Sequence, residues 1–218
     1  NVIYNTYVND ESALYNQADV FFNIQAKYAI NASMMYALAL NESGLGLSQY
    51  ALEYHNLFGH AAIDENPDNA NQYKSIADCV QQHAYNFLQQ GYLNPEDSRY
   101  HGSWFGDKAS GINVNYASDP YWGEKAASFY YQLDEDGIDQ KKNPIKTIQL
   151  SKDLKVYAPN KKDVLYTYKK GSIVSINILK DEHRYYKISS EAPVKDNHLN
   201  VNAKYKNSYA YIKKSDFK

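Results

Sequence analysis

Cysteine is nearly absent. The one thiol, Cys79, excludes an intramolecular disulfide framework and a cysteine-based zinc site. It suits a cytosolic protein, and equally a secreted one that folds without disulfides. Long apolar runs are missing too. The longest, Met34 to Leu40, contains Tyr36 and falls far short of the ~20 residues a membrane span needs. There is no Gly-rich phosphate loop, no Cys/His metal cluster and no Gly-x-Ser-x-Gly nucleophile elbow. His55 and His60 stand five apart, which is not the spacing of a pair on one helix face. No metal and no organic cofactor is expected. The chain opens at Asn1 with no signal peptide and reads as a mature product or an excised piece.

What is present is a soluble globular composition: 44% hydrophobic and 22% charged over 218 residues, enough for one or two domains. Tyrosine is the outlier, at 23 residues. Its flat apolar face and hydroxyl suit sugars, and also suit strand and core positions. The net charge of −2 hides an asymmetry. Residues 1–143 carry 7 Lys+Arg and 18 Asp+Glu, a net of −11; residues 144–218 carry 16 and 7, a net of +9. The change falls in the polar stretch Asp134 to Pro144, which reads as a domain boundary. A basic second part fits a polyanionic partner, or simply an unrelated module of different isoelectric point.

The hydrophobic pattern changes at the same place. Val20, Phe21, Ile24 and Tyr28 have helical spacing, and Asn31 can cap a helix carrying Met34, Met35 and Leu38. Ser75 with Asp78 resembles a capping box before Ile76, Val80, Ala84, Phe87 and Leu88, with Gly91 as the stop. Trp122 to Leu133 reads as a last helix. Beyond Pro144 the chain turns to short β-branched or tyrosine-rich runs: 145–150, 155–157, 164–168, 173–179, 185–188 and 209–212. Ala158-Pro159-Asn160 and Lys170-Gly171-Ser172 supply turns between them, as in a small all-β barrel.

The most informative stretch is Ala37 to Ser48. An apolar helix runs into Glu42 and then breaks at Gly44 and Gly46. Apolar surroundings and the negative end of a helix dipole both favour the protonated carboxyl. A glutamate kept protonated near neutral pH can donate to a glycosidic leaving group. The alternative is a solvated glutamate at a helix end.

Two further motifs follow: Asn56-Leu57-Phe58-Gly59, and Asn113-Val114-Asn115-Tyr116-Ala117-Ser118-Asp119-Pro120-Tyr121-Trp122. With Glu42-Ser43-Gly44-Leu45-Gly46, and in this order, they make residues 28–131 resemble the bacterial N-acetylglucosaminidases that cut peptidoglycan, glycoside hydrolase family 73. The resemblance implies an α+β protein whose residues 1–140 form a mostly helical, lysozyme-like catalytic domain with a small β-lobe. It implies that Glu42 is the general acid and that Tyr116 holds the sugar, or the developing charge, at the −1 site. Asn56, Phe58, Tyr121 and Trp122 become candidate substrate contacts. For Asn56 and Phe58 a role in turn and core is an equal alternative, and for Trp122 a place in the core or cleft floor. A second carboxylate would come from Glu65, Asp64 or Asp68, or the substrate's own N-acetyl oxygen would act instead. Asp119, before a proline, reads as a turn or helix-start device.

Residues 144–218 resemble bacterial SH3-like domains through Leu154-x-Val156-Tyr157-x-Pro159, Lys170-Gly171-Ser172, and Tyr209-x-Tyr211-Ile212-Lys213-Lys214-Ser215-Asp216-Phe217. Such a module implies attachment to the wall through an anionic polymer or stem peptide. The expected protein is a secreted, wall-associated hydrolase acting on glycan strands after N-acetylglucosamine, with no nucleic-acid partner and no membrane span. A muramidase or lytic transglycosylase on the same scaffold is the nearest rival. A wall-binding protein without activity is the rival from another class, and retention of Glu42 and Tyr116 argues against it.

Overall fold

The computed structural model describes residues 5–28, 30–61, 71–135, 145–202 and 208–217. The chain forms two compact units. One comprises Asn1–Phe87 with Glu124–Ile138, and the other Leu88–Gly123 with Asp139–Lys218. The unit that holds the C-terminal strands therefore also takes in a stretch from well before the polar segment 134–144.

The first unit is helical. Helix α1 is Ala18–Tyr28 and α2 is Ala32–Glu42. Asn31 caps α2 as its sequence suggests, its side chain accepting from the Met34 amide at 2.9 Å. Nearly the whole of α2 is buried, from Met35 to Leu40 without a break. That explains why its apolar pattern is continuous rather than one-sided. Phe21 of α1 meets Tyr36 of α2 edge-on at 5.0 Å, and both are fully buried. Helix α3 is Gln49–Tyr54, capped by Ser48. Helix α4, Ile76–Gln82, is capped by Ser75, whose hydroxyl accepts from the Asp78 amide at 3.1 Å. The reciprocal half of a capping box is not made: the Asp78 carboxylate accepts from the Lys74 amide instead. The chain then continues as a π-helix, His83–Tyr92. Gly91 lies inside it, beneath the Arg99 guanidinium, and does not end it. The last helix, α5, is Trp122–Glu135. Cys79 is buried in α4, and burial pushes its thiol up to about 12, so it packs as a small apolar group. Among the described residues no strand precedes Ile145. Of the loop expected in the β-lobe, Ala61 to Ser75, residues 62–70 lie outside the described residues.

The strands are β1 Ile145–Gln149, β2 Leu154–Tyr157, β3 Val164–Tyr168, β4 Ile173–Asp181, β5 Tyr185–Ser189, β6 Val194–Lys195, β7 His198–Leu199 and β8 Tyr209–Lys213. Six of them form one antiparallel sheet in the order β1-β4-β5-β8-β2-β3, and β6 pairs with β7 alone. The expected barrel is not closed. Among the described residues no pairing joins β1 to β3, so the architecture is an antiparallel sheet with two ends. Alternation sorts the tyrosines. Tyr166 and Tyr168 lie in the apolar core with Val156, Ile188, Ala210 and Ile212. Tyr209 and Tyr211, on the opposite side of β8 from Ala210 and Ile212, are covered by lysines: Lys187 lies 3.6 Å from the Tyr209 ring centre and Lys161 4.2 Å from that of Tyr211. Part of the tyrosine excess is therefore strand filler. No helix among the described residues is long and apolar enough to cross a membrane.

Candidate active site

Glu42 is the last residue of α2 and is half-buried. The turn that follows fixes where its helix stops. The Ser43 hydroxyl donates to the Ala39 carbonyl at 2.5 Å and accepts from the Gly46 amide at 2.8 Å. Gly44, Leu45 and Gly46 all have positive φ, and the Leu45 amide returns to the Leu40 carbonyl at 2.9 Å. Gly46 cannot carry a side chain: a Cβ there would lie 2.3 Å from Ser12 Oγ and 3.0 Å from Leu14 N. Ser12 in turn donates to the Leu45 carbonyl at 2.6 Å. The two glycines read as a helix break thus hold the acid-bearing end against the segment 12–14. The Asn41 side-chain amide reaches Glu42 Oε1 at 3.5 Å.

Asn56 and Phe58 sit in the same unit and are buried. Asn56 uses both ends of its amide within its own loop, donating to the His60 carbonyl at 2.9 Å and accepting from the His60 amide at 3.0 Å. Phe58 stacks on His83 at 3.8 Å between ring centres, 11° from parallel. Both side chains are engaged in shaping this loop. They frame a buried chain of polar groups in which Tyr73 Oη lies 2.6 Å from His60 Nδ1, and His60 Nε2 lies 2.9 Å from His83 Nδ1. Burial lowers His60 to about 4, and burial followed by the neighbouring His60 lowers His83 well below the usual histidine range. The pair 23 residues apart has no sequence signature. Asp64, Glu65 and Asp68 lie outside the described residues. Among the described residues no group of three or more His, Cys, Asp or Glu gathers as metal ligands would.

The second unit carries the tyrosine motif. Tyr116 is half-buried, with its ring between Trp122 (4.5 Å, 30°) and Tyr92 (5.1 Å, 54°). Trp122 is buried and meets Phe105 edge-on, which places it in the wall behind Tyr116; Tyr121 is 65% exposed. Asn113 is fully buried and donates to the Asp119 carbonyl at 3.0 Å. The Asp119 carboxylate accepts from the Tyr121 amide at 2.9 Å, the turn device expected of it. Lys108 is a residue the sequence did not single out. Its ammonium donates to the carbonyls of Asn113 (2.6 Å), Val114 (3.4 Å) and Ala117, so three donors of one cation close the loop that bears Tyr116. A lysine in Gly-Asp-Lys-Ala-Ser carries no spacing that announces this.

The helix-end glutamate lies in one unit and the tyrosine loop in the other. Residues 18–135, more than half of the chain, match the glucosaminidase family, described as mannosyl-glycoprotein endo-beta-N-acetylglucosaminidase. Two relatives, each named "Putative endo-beta-N-acetylglucosaminidase", come from Streptococcus pneumoniae serotype 4 (strain ATCC BAA-334 / TIGR4) and strain ATCC BAA-255 / R6. Both are 35% identical over 126 residues, 58% of this chain. The match spans only 18% and 17% of their own lengths. The chain belongs to the glucosaminidase family.

Proposed function

We propose that this protein hydrolyses the β-1,4 bond after N-acetylglucosamine in peptidoglycan glycan strands, outside the cell. Glu42 is its general acid. The observation that carries the reading is the placement of Glu42 as the final residue of a buried helix whose end is locked by Ser43, Gly44 and Gly46. A proton donor needs such fixed placement to reach a leaving oxygen. Tyr116 meets the reacting sugar, supported by its loop's hold on Lys108 and Asn113 and its place against Trp122. Tyr121, exposed, is a candidate sugar contact. Asn56 and Phe58 act by shaping their loop. A second carboxylate, if the reaction uses one, comes from Glu65, Asp64 or Asp68. Residues 144–218 form an SH3-like module whose net charge of +9 favours anionic wall polymer or stem peptide.

Tyr116→Phe tests this reading. It keeps the ring against Trp122 and removes only the hydroxyl. Turnover is expected to fall about 10-fold with the melting temperature unchanged. A loss of stability with unchanged turnover would instead make Tyr116 a structural residue. Clearing of a turbid suspension of purified walls, measured on the same preparation, separates an enzyme from a protein that only binds walls.

A further inference from the structure

The stretch Leu88–Gly123 lies within the segment that matches the glucosaminidase family, yet it belongs to the same compact unit as the C-terminal sheet. Tyr100 and Trp104 pack against the sheet's apolar cluster, which includes Leu150, Val174 and Ile188. A polar contact accompanies them. The Ser103 hydroxyl and the Tyr168 phenol both donate to the Glu191 carboxylate, and the Glu191 amide donates to Tyr166 Oη at 3.0 Å. Burial raises the Glu191 carboxyl, so its hydrogen bonds to the stretch 100–104 and to β3 stand in for the water it has lost.

Trp104 also touches the root of the Tyr116 loop. Its indole fills the space that Gly102 and Gly111 leave: a Cβ on Gly102 would lie 2.1 Å from the ring, and one on Gly111 2.9 Å from Nε1. Both glycines have positive φ. The backbone runs the same way. The carbonyls of His101, Trp104 and Phe105 accept from the amides of Gly111, Ile112 and Asn113 at 2.8, 2.8 and 2.9 Å, and the Ile112 carbonyl accepts from the Tyr116 amide at 3.2 Å. One residue thus contacts the sheet's core with its ring and the tyrosine loop with both ring and backbone. Packed interiors are close to crystal density and transmit displacement.

We infer that the C-terminal sheet is a positioning element for Tyr116, with Trp104 as the positioning residue that links the two. This rests on the reading of Tyr116 as the group that meets the sugar. It goes beyond that reading by giving the β-strands a part in turnover, separate from any hold on the wall.

The test uses the full chain and a short soluble glycan, so that wall attachment does not contribute. Trp104→Leu keeps an apolar side chain but removes the bridging indole; Glu191→Ala loosens the join from the sheet side, should the first variant fold poorly. Amide exchange at Gly111, Ile112 and Asn113 is expected to quicken about 10-fold, with α2 amides unchanged. At temperatures well below each variant's melting midpoint, kcat should fall about 5- to 10-fold with KM within about 2-fold. Combined with Tyr116→Phe, the second substitution should add almost nothing, because both act on one group. Unchanged exchange at 111–113 overturns the proposal whatever the activity. Quickened exchange with wild-type kcat, or fully additive losses, overturns the catalytic link. Quickened exchange beside a Tyr116→Phe enzyme of normal turnover shows instead that the functional reading of Tyr116 has failed, and the link to turnover with it.

Discussion

Glu42→Gln is expected to lower glycan hydrolysis at least about 100-fold while leaving the protein folded. General acid catalysis is typically worth 10²–10⁴-fold. The amide keeps the length and shape of the carboxyl but holds no transferable proton. The fold should tolerate it, because the locks on this helix end are made by other groups: Ser43 to Ala39, Gly46 to Ser43 and Ser12 to Leu45. Wall lysis and a melting curve on the same sample are the measurement. Near-normal lysis by a variant with wild-type melting would remove Glu42 from the mechanism.

The second large effect is on stability in acid. His60 and His83 are buried, and their rings lie in hydrogen-bond contact at 2.9 Å. His60 is engaged through both ring nitrogens, with Tyr73 Oη and with His83 Nδ1, so one proton lies between the two rings. Protonating both rings would place two donors face to face. Burial holds His60 at about 4, against 6.5 for an unperturbed imidazole. The sign follows from proton counting. Above pH 6.5 neither the folded nor the unfolded state binds this proton, and nothing is lost. Below 6.5 the unfolded state binds it and the folded state does not, so stability falls until pH reaches about 4. For His60 alone the loss is about 3 kcal/mol across that window, at 1.36 kcal/mol per pH unit. Unfolding free energies at pH 7 and pH 4.5 should therefore differ, and His60→Gln should reduce that difference whatever it does to absolute stability. An equal difference in the variant would show that other groups carry the acid response.

Local chemistry was legible in the sequence where one short segment contains its whole cause. Asn31 and Ser75 cap the helices they precede, because a cap needs only the next three residues. The end of α2 at Glu42 follows from two glycines close behind it. The six main strands were readable from β-branched and tyrosine runs. What the sequence did not disclose depends on contacts that no propensity or spacing marks. The β6–β7 pair is two residues on each side, too short for alternation to register. The π-helix runs through Gly91, where Arg99, held by Asp97 at 2.8 Å, fills the space a side chain would need. Trp104 gave no sign that its ring serves the sheet's core, since that core begins at Leu150 and runs to Phe217. The barrel expected from the strand pattern required a closure that strand propensity does not encode.

The bond that is cut is read from the identity of the new reducing end. Purified walls would be digested with the full chain, and the soluble fragments reduced and analysed by mass spectrometry. Fragments ending in reduced N-acetylglucosamine are the predicted result, absent from the Glu42→Gln digest. Fragments ending in reduced N-acetylmuramic acid, or in its 1,6-anhydro form, would contradict the account and assign the chain to muramidase or lytic transglycosylase chemistry.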